Sequence, residues 1–283
     1  MHLNWIKVIL ILNHDILYSS SDMNVEIYVK VLNHYLLLIL ILSVPMSIFA
    51  SDLDKEKRWS DQVVDSIMDG EIVWLNNGKH DFLGIYTDAA EDKSRAVIVM
   101  HGTGVHPNWQ QVIQPLRVGL TEHNWNTLSI QMPVLSNDAK HEEYAPLYPE
   151  VASRINAAMA ELKSRGNKNI FLIGHSQGAT MSAYYLTTSK QDINGFVAIG
   201  MSSFGNDLRQ SGVNSLKNIS IPVLDLYASD DLDSVLNTTK ARAQAAKESD
   251  NKNFTQIQIT GNHFLDGENE ILLATVAEWL EKQ

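Results

Sequence analysis

The polar and apolar positions of this chain fall into alternating blocks of two kinds. Near-continuous apolar runs occur at Arg95–His101 (RAVIVMH), Asn169–Ile173, Ile193–Ile199 and Ile221–Tyr227. Runs of that length predict strands covered on both faces, as in a parallel sheet. Thr127–Met132 alternates and stops at Pro133, and Phe254–Ile259 alternates apolar residues with glutamines. Both predict strands, the second with one face less covered. Between the strands the period changes. Trp109–Thr121 places Val112, Ile113, Leu116 and Leu120 on one helical face, and Tyr148–Arg165 does the same with Val151, Ile155, Met159 and Leu162 before Gly166 in the C′ position. Gln177–Ser189, Val235–Glu248 and Glu268–Glu281 complete the predicted helices. Ahead of these, Glu71–Asn76 and Asp81–Thr87 flank Asn76-Asn77-Gly78 and predict a hairpin.

Strands and helices alternating from residue 95 onward predict an α/β domain, a mostly parallel, doubly wound sheet of about eight strands. Ligands of such sheets bind beyond the C-terminal strand ends. Val134–Pro149 is polar and aperiodic, so it reads as an inserted loop or small lid. Ser51–Met68 is charged and mildly amphipathic, a short helix or linker.

The N-terminal fifty residues have another character. Tyr35–Ala50 (YLLLILILSVPMSIFA) is almost wholly apolar and is followed abruptly by charged sequence. Its length, the helix-breaking Pro45 and the small residues near Ala50 fit a secretory signal peptide. The preceding flank sets only Lys30 and His34 against Glu26, which leaves an uncleaved membrane anchor as the alternative. Met23 is a plausible initiator, since Met23–Ala50 has the length of a signal peptide; a second apolar run at Trp5–Leu12 leaves a hairpin of two membrane segments open. The plan is therefore a signal peptide or membrane segment over 1–50, a charged helix or linker over 51–70, and one α/β domain over 71–283. The expected location is the periplasm, with membrane contact only through the N-terminal segment if it is retained.

Charge and composition narrow the partners. The formal net charge is −11; residues 1–50 hold two lysines against three acids, leaving −10 on the remainder. A surface that acidic opposes nucleic acid and anionic membrane. The chain has no cysteine, which excludes disulfides, thiolate metal sites and a cysteine nucleophile. No pair of histidines with a carboxylate stands at metal spacing, so neither a metal nor another cofactor is expected.

Four predicted strand ends carry polar residues: His101-Gly102-Thr103-Gly104, Gly174-His175-Ser176-Gln177-Gly178, Asp230-Asp231 and Gly261-Asn262-His263. In a parallel sheet all four share one edge. The pentapeptide ends a buried strand and opens a helix, which is the setting of a nucleophile elbow with Ser176 at its apex. A serine hydroxyl needs a base in reach, which His263 can supply, and a carboxylate behind the imidazole fixes its tautomer. The turn Gly102-Thr103-Gly104 lacks both nucleotide-binding glycine spacings.

These features, in the order Ser, Asp, His, resemble the α/β-hydrolases over residues 71–283. More narrowly, H-G-x-G-x-H-P-x-W from His101, P-L-R from Pro115, W-x-T-L-S-I-Q from Trp125 and P-V-L-D-L-Y from Pro222 are similar to a bacterial family of exported α/β-hydrolase-like proteins of uncharacterised function. The resemblance implies an acid three residues after the small residue closing its strand. Ala228 takes that place, so Asp231 is the match and Asp230 the fallback, while Asp225 lies inside the strand and Asp233 too far along. It also implies an oxyanion hole from the backbone N–H groups of Thr103 and Gln177, with His101 holding the turn. His101, His106 and Asp230 are candidates to line the cleft, a structural role for His106 standing equally. His175 is expected to pack near the sheet, and His80, His123 and His141 at the surface.

The connection from Ile199 to Ile221 is short, implying a short or absent cap. The function read from this is a serine hydrolase forming an acyl-enzyme, a carboxylesterase acting on a small or medium ester. Amidases, peptidases, thioesterases and lipases use the same constellation. The alternative of another class is a catalytically silent exported binding or scaffold protein that keeps the fold.

Overall fold

The computed structural model describes residues 51–91, 94–189, 192–249 and 251–283, together with Leu32 and His34. The chain divides into two units, Met1–Ile48 and Phe49–Gln283. In the first, Leu32 and His34 are helical and exposed. The expected signal peptide or membrane segment over 1–50, and the start at Met23, lie outside the described residues.

In the second unit, among the described residues, eight strands form one sheet. They are β1 (Glu71–Asn76), β2 (Asp81–Thr87), β3 (Arg95–Met100), β4 (Asn126–Ile130), β5 (Asn169–His175), β6 (Gly195–Ile199), β7 (Val223–Asp230) and β8 (Phe254–Asn262). Their order is β1-β2-β4-β3-β5-β6-β7-β8. The hairpin β1–β2 and the pair β2–β4 are antiparallel, and every later pair is parallel. The helices are α1 (Leu53–Ser66), α2 (Ile113–Gly119), α3 (Tyr148–Ser164), α4 (Gln177–Thr188), α5 (Gly212–Leu216), α6 (Asp233–Leu236), α7 (Thr239–Glu248) and α8 (Asn269–Leu280).

Successive side chains of a strand point to opposite faces, so the apolar runs build two layers. Ile98 and Leu172 pack with Val151, Ile155 and Met159 of α3 and Met181 of α4. Val97, Val99 and Ile173 pack with Leu116 of α2 and Val276 and Leu280 of α8. The sheet is covered on both faces, as uninterrupted apolar strands require.

Several expectations need correction. Val134–Pro149 is not the wholly polar, aperiodic loop expected: Val134, Tyr144 and Leu147 are fully or almost fully buried, and His141–Leu147 forms a 3-10 helix. Its buried residues, Tyr144, Ala145 and Leu147, span a single turn, too short for a helical period to show in the sequence. The helix expected over Trp109–Thr121 starts only at Ile113, because Val112 takes φ +63°, and it ends in a 3-10 turn over Leu120–His123. Val235–Glu248 is two helices, broken at Asn237–Thr238. β7 and β8 run on to Asp230 and Asn262, beyond the ends their apolar patterns mark, and β6 begins at Gly195.

The charged segment 51–70 contains a helix docked on the domain. Asp52 caps α1 by accepting the N–H of Lys55 at 2.9 Å. Glu56 then meets the fully buried Arg154 of α3 in a two-pronged pair, Nη1–Oε2 and Nη2–Oε1 both at 2.8 Å. Glu150 takes Nη2 at 2.5 Å, the Gln131 carbonyl accepts from Nη1 at 2.9 Å, and Ser51 donates to Glu56.

Candidate active site

The elbow is built by steric exclusion. A Cβ on Gly174 would lie 2.6 Å from the Gly178 carbonyl oxygen, and one on Gly178 would lie 2.5 Å from the carbonyl oxygens of Met100 and His101. Only glycine lets β5, α4 and the end of β3 approach this closely. Between them Ser176 takes φ +54° and ψ −119°, a strained conformation for a side-chain-bearing residue. The Ser176 N–H bonds to the Ile199 carbonyl at 2.8 Å, tying the turn to β6.

Three side chains from three strand ends meet here. Ser176 Oγ lies 2.9 Å from His263 Nε2, and His263 Nδ1 lies 2.5 Å from Asp231 Oδ1. The Asp231 carboxylate can only accept, so Nδ1 carries the imidazole proton and Nε2 is left to accept from the serine. Asp231 also accepts the N–H of Leu232 at 2.8 Å and that of Ala228 at 3.0 Å. Burial pushes its carboxyl up, but these bonds and the facing imidazole outweigh burial and hold it below the ordinary carboxylate value. Asp230 lies outside this chain of bonds, exposed at the end of β7. Asp225 is buried and bound by Arg242 Nε at 2.8 Å.

Two peptide planes beside Ser176 are oriented by their carbonyls. The Ser176 carbonyl accepts from Ala179 and Thr180 at 3.0 and 3.2 Å, along α4. In a trans peptide C=O and N–H point opposite ways, so the Gln177 N–H points out of the helix start, where it has no intrahelical partner. His101 does the same for the other plane: its Nδ1–H donates to the Gly102 carbonyl at 2.8 Å, turning the Thr103 N–H the opposite way. His101 Nε2 accepts from the Met132 N–H and Gln131 Nε2, both at 2.9 Å. A Cβ on Gly102 would stand 3.0 Å from Ser176 Cβ, so this turn lies directly against the serine.

His101 is therefore not a cleft residue; it is fully buried behind the turn. His106 is half-buried, edge-on between Trp59 and Trp109 with ring centroids at 5.9 and 5.5 Å, and it also lines a cavity. His80 and His141 are partly buried, His141 packing on Phe204 at 4.6 Å, whereas His123 is exposed.

Three features escaped the sequence reading. A Cβ on Gly200 would meet His263 Cε1 at 3.0 Å, so this glycine makes room for the imidazole. His175 lies under His263 with ring centroids 5.0 Å apart, and its Nε2–H donates to the His263 carbonyl at 3.0 Å. Gln177 Nε2 donates to Tyr148 Oη at 2.9 Å, Tyr148 donates to Thr180 Oγ1 at 3.0 Å, and Thr180 donates to the Gln177 carbonyl at 3.0 Å. That closed circuit clamps the helix start. None has a local signal, because each partner comes from a distant segment.

Burial pushes the imidazoles of His101 and His175 down, to about 3 and about 4, from an ordinary 6.5; the neighbouring His263 adds to the effect at His175. Both are neutral in the fold, while the unfolded chain takes up protons below pH 6.5. Stability is thus fully present above that pH and falls as pH drops toward 4, by about 1.4 kcal/mol per pH unit for each histidine. Urea midpoints measured from pH 7.5 to 4.5 are expected to follow that slope. His175→Gln, which keeps a donor for the His263 carbonyl, is expected to flatten it; an unchanged slope refutes the assignment.

Solved structures of known proteins share this architecture. Est1E from Butyrivibrio proteoclasticus superposes with a TM-score of 0.57 at 16% identity, covering 75% of this chain and 98% of its own. Esterase Est2 from Thermogutta terrifontis, solved with propionate bound, gives 0.62 at 14% over 75% and 94%. The esterase Pf2001 of Pyrococcus furiosus gives 0.61 at 18% over 78% and 95%. At such identities the likeness is one of fold, and the fold is that of the α/β-hydrolases. A search of curated proteins finds no match to the sequence. The profile of DUF3530, described as a protein of unknown function, matches residues 50–152 and 140–282. With nearly the whole of its second unit matched, the chain belongs to the DUF3530 family.

Proposed function

We propose that the protein is a serine hydrolase that works through an acyl-enzyme, and specifically a carboxylesterase for small or medium esters. The observation that carries this reading is the continuous bond chain Ser176–His263–Asp231, at 2.9 and 2.5 Å, on the C-terminal strand edge. In the first half-reaction His263 Nε2 takes the Ser176 proton as Oγ attacks the ester carbonyl, and Asp231 stabilises the imidazolium that forms. The N–H groups of Thr103 and Gln177 receive the oxyanion, each worth about 3 kcal/mol in the transition state. His263 then returns the proton to the departing alcohol, and in the second half-reaction it activates the water that releases the acid.

An accessible mouth supports an ester of modest size. Ser176 is itself partly exposed, and Leu232 and Phe264, the chain neighbours of Asp231 and His263, are 49% and 45% exposed and offer apolar surface. The test is labelling by a fluorophosphonate probe, with Ser176→Ala as control, alongside a panel of p-nitrophenyl esters from acetate to palmitate. Labelling of the native chain alone, with turnover of the shorter esters, is the expected result. Equal labelling of both proteins removes Ser176 as nucleophile; no labelling and no turnover favours a silent binding protein. We place this activity in the periplasm on the strength of the apolar run Tyr35–Ala50. N-terminal sequencing of exported protein should find a start near Ser51.

A further inference from the structure

A cavity of about 1030 Å³ lies between α1, the loop from His106 to Gln111 and α2. That is the size of a small-molecule site at its upper end. Its wall does not have the mainly apolar make-up of most such sites. Five residues with side-chain amides line it, Gln62, Asn108, Gln110, Gln111 and Gln114, together with Trp109.

The ring and part of this amide set are held in place. Trp109 Nε1 donates to Gln111 Oε1 at 2.7 Å, and Gln111 Nε2 donates to Asp266 Oδ1 at 2.7 Å. The side-chain amides of Gln62 and Gln110 at the exposed rim, and of the half-buried Gln114, have no protein partner among the described residues, so each offers a donor and an acceptor to a ligand.

Charge decides against an anion. Arg117 in the wall is almost fully buried and commits its Nη groups to the Asp69 carbonyl, Thr87 Oγ1 and Asn108 Oδ1, at 2.7, 2.8 and 2.9 Å. Asp69 and Asp266 add two carboxylates to the lining, and burial lowers the His106 pKa, favouring its neutral form. A wall of amides, carboxylates and one aromatic face suits a neutral ligand dense in hydroxyl groups, with an apolar face for the ring.

The cavity shares two segments with the triad. Gly102, on the loop that continues to Gln111, lies against Ser176, and Asp266 follows three residues after His263. Both segments carry backbone strain in buried residues, Val112 at φ +63° and Leu265 at φ +53°. Such strain persists where the surroundings enforce a functional geometry.

We propose that this cavity is a saccharide-binding subsite, and that the substrate is an O-acylated neutral saccharide whose ring sits against Trp109 while its ester reaches Ser176. The catalytic half rests on the serine-hydrolase reading; the binding half does not. In the reaction the Ser176 Oγ–acyl bond forms, the acyl–oxygen bond to the sugar breaks, and the serine proton passes through His263 to the departing sugar oxygen, which leaves as a hydroxyl. Water then cleaves the acyl-enzyme to the free acid.

The experiment separates the two halves. Ser176→Ala protein is titrated calorimetrically with xylopentaose, cellopentaose, maltopentaose and penta-N-acetylchitopentaose, with a galacturonate pentamer as the charged control. Native protein is assayed for acetate release from acetylated xylo-oligosaccharides. At least one neutral oligosaccharide is expected to bind with Kd of about 1 mM or tighter, the galacturonate at least tenfold more weakly, and Gln114→Ala to raise Kd about tenfold without moving the melting temperature. Binding together with acetate release supports the whole proposal. Binding with no acetate release and no fluorophosphonate labelling supports the subsite and overturns the hydrolase reading. Turnover of simple esters with no binding of any of these oligosaccharides at about 10 mM overturns the subsite and leaves the hydrolase. Preference for the galacturonate overturns the assignment to neutral sugars.

Discussion

Ser176→Ala is expected to lower kcat on an ester by on the order of 10⁶, and His263→Ala by a similar factor, with the double variant no slower than either. The reason is the geometry: Oγ and Nε2 are 2.9 Å apart, and neither group does its part without the other. Asp231→Asn should cost less, about 10⁴, because the serine and base remain while the imidazole tautomer is no longer enforced. Asp230→Asn should change kcat less than twofold, since that side chain is exposed and outside the bond chain. Steady-state kinetics on p-nitrophenyl acetate checks all five. Additive losses in the double variant, or a larger loss at Asp230 than at Asp231, would show that the bonded chain is not the machinery.

The second large effect is on stability. Arg154→Ala is expected to destabilise the fold by about 3–5 kcal/mol, because it strands two carboxylates. Arg154 is fully buried and pairs with both Glu56 of α1 and Glu150 of its own helix, the latter also 3.8 Å from His80 Nε2. Burial disfavours its charge, but the two glutamates prevail and raise its pKa further. The loss should appear as a lower urea midpoint and as proteolysis within residues 51–66, where α1 loses its tether. The double change Arg154→Met with Glu56→Leu should recover much of the loss, since replacing a buried pair by apolar residues is often neutral. A midpoint unmoved by Arg154→Ala would mean that α1 is held by its other contacts.

Residues close in sequence made much of this readable in advance. The continuous apolar runs that became β3, β5, β6 and β7 carry their own period, and Gly174 and Gly178 encode the elbow within five positions. Asp231 and His263 were approachable because each closes a strand, and parallel strands bring such ends to one edge. Element ends were read less well. Val112 breaks its helical pattern with a positive φ, and the segment 134–149 hides a core contribution in a short 3-10 helix.

What stayed out of reach shares one cause. Which carboxylate on α1 faces Arg154, what holds the His263 backbone and which segments share a cavity all depend on partners many tens of residues apart in the chain. The elements, their alternation and the elbow at Ser176 arise from propensity and periodicity, which act over a few residues and are written in the chain. The bond between Asp231 and His263, the burial of His101 and the amide-lined cavity came from packing. They depend on desolvation and close approach between segments, which exist only once the sheet and its two helical layers have closed.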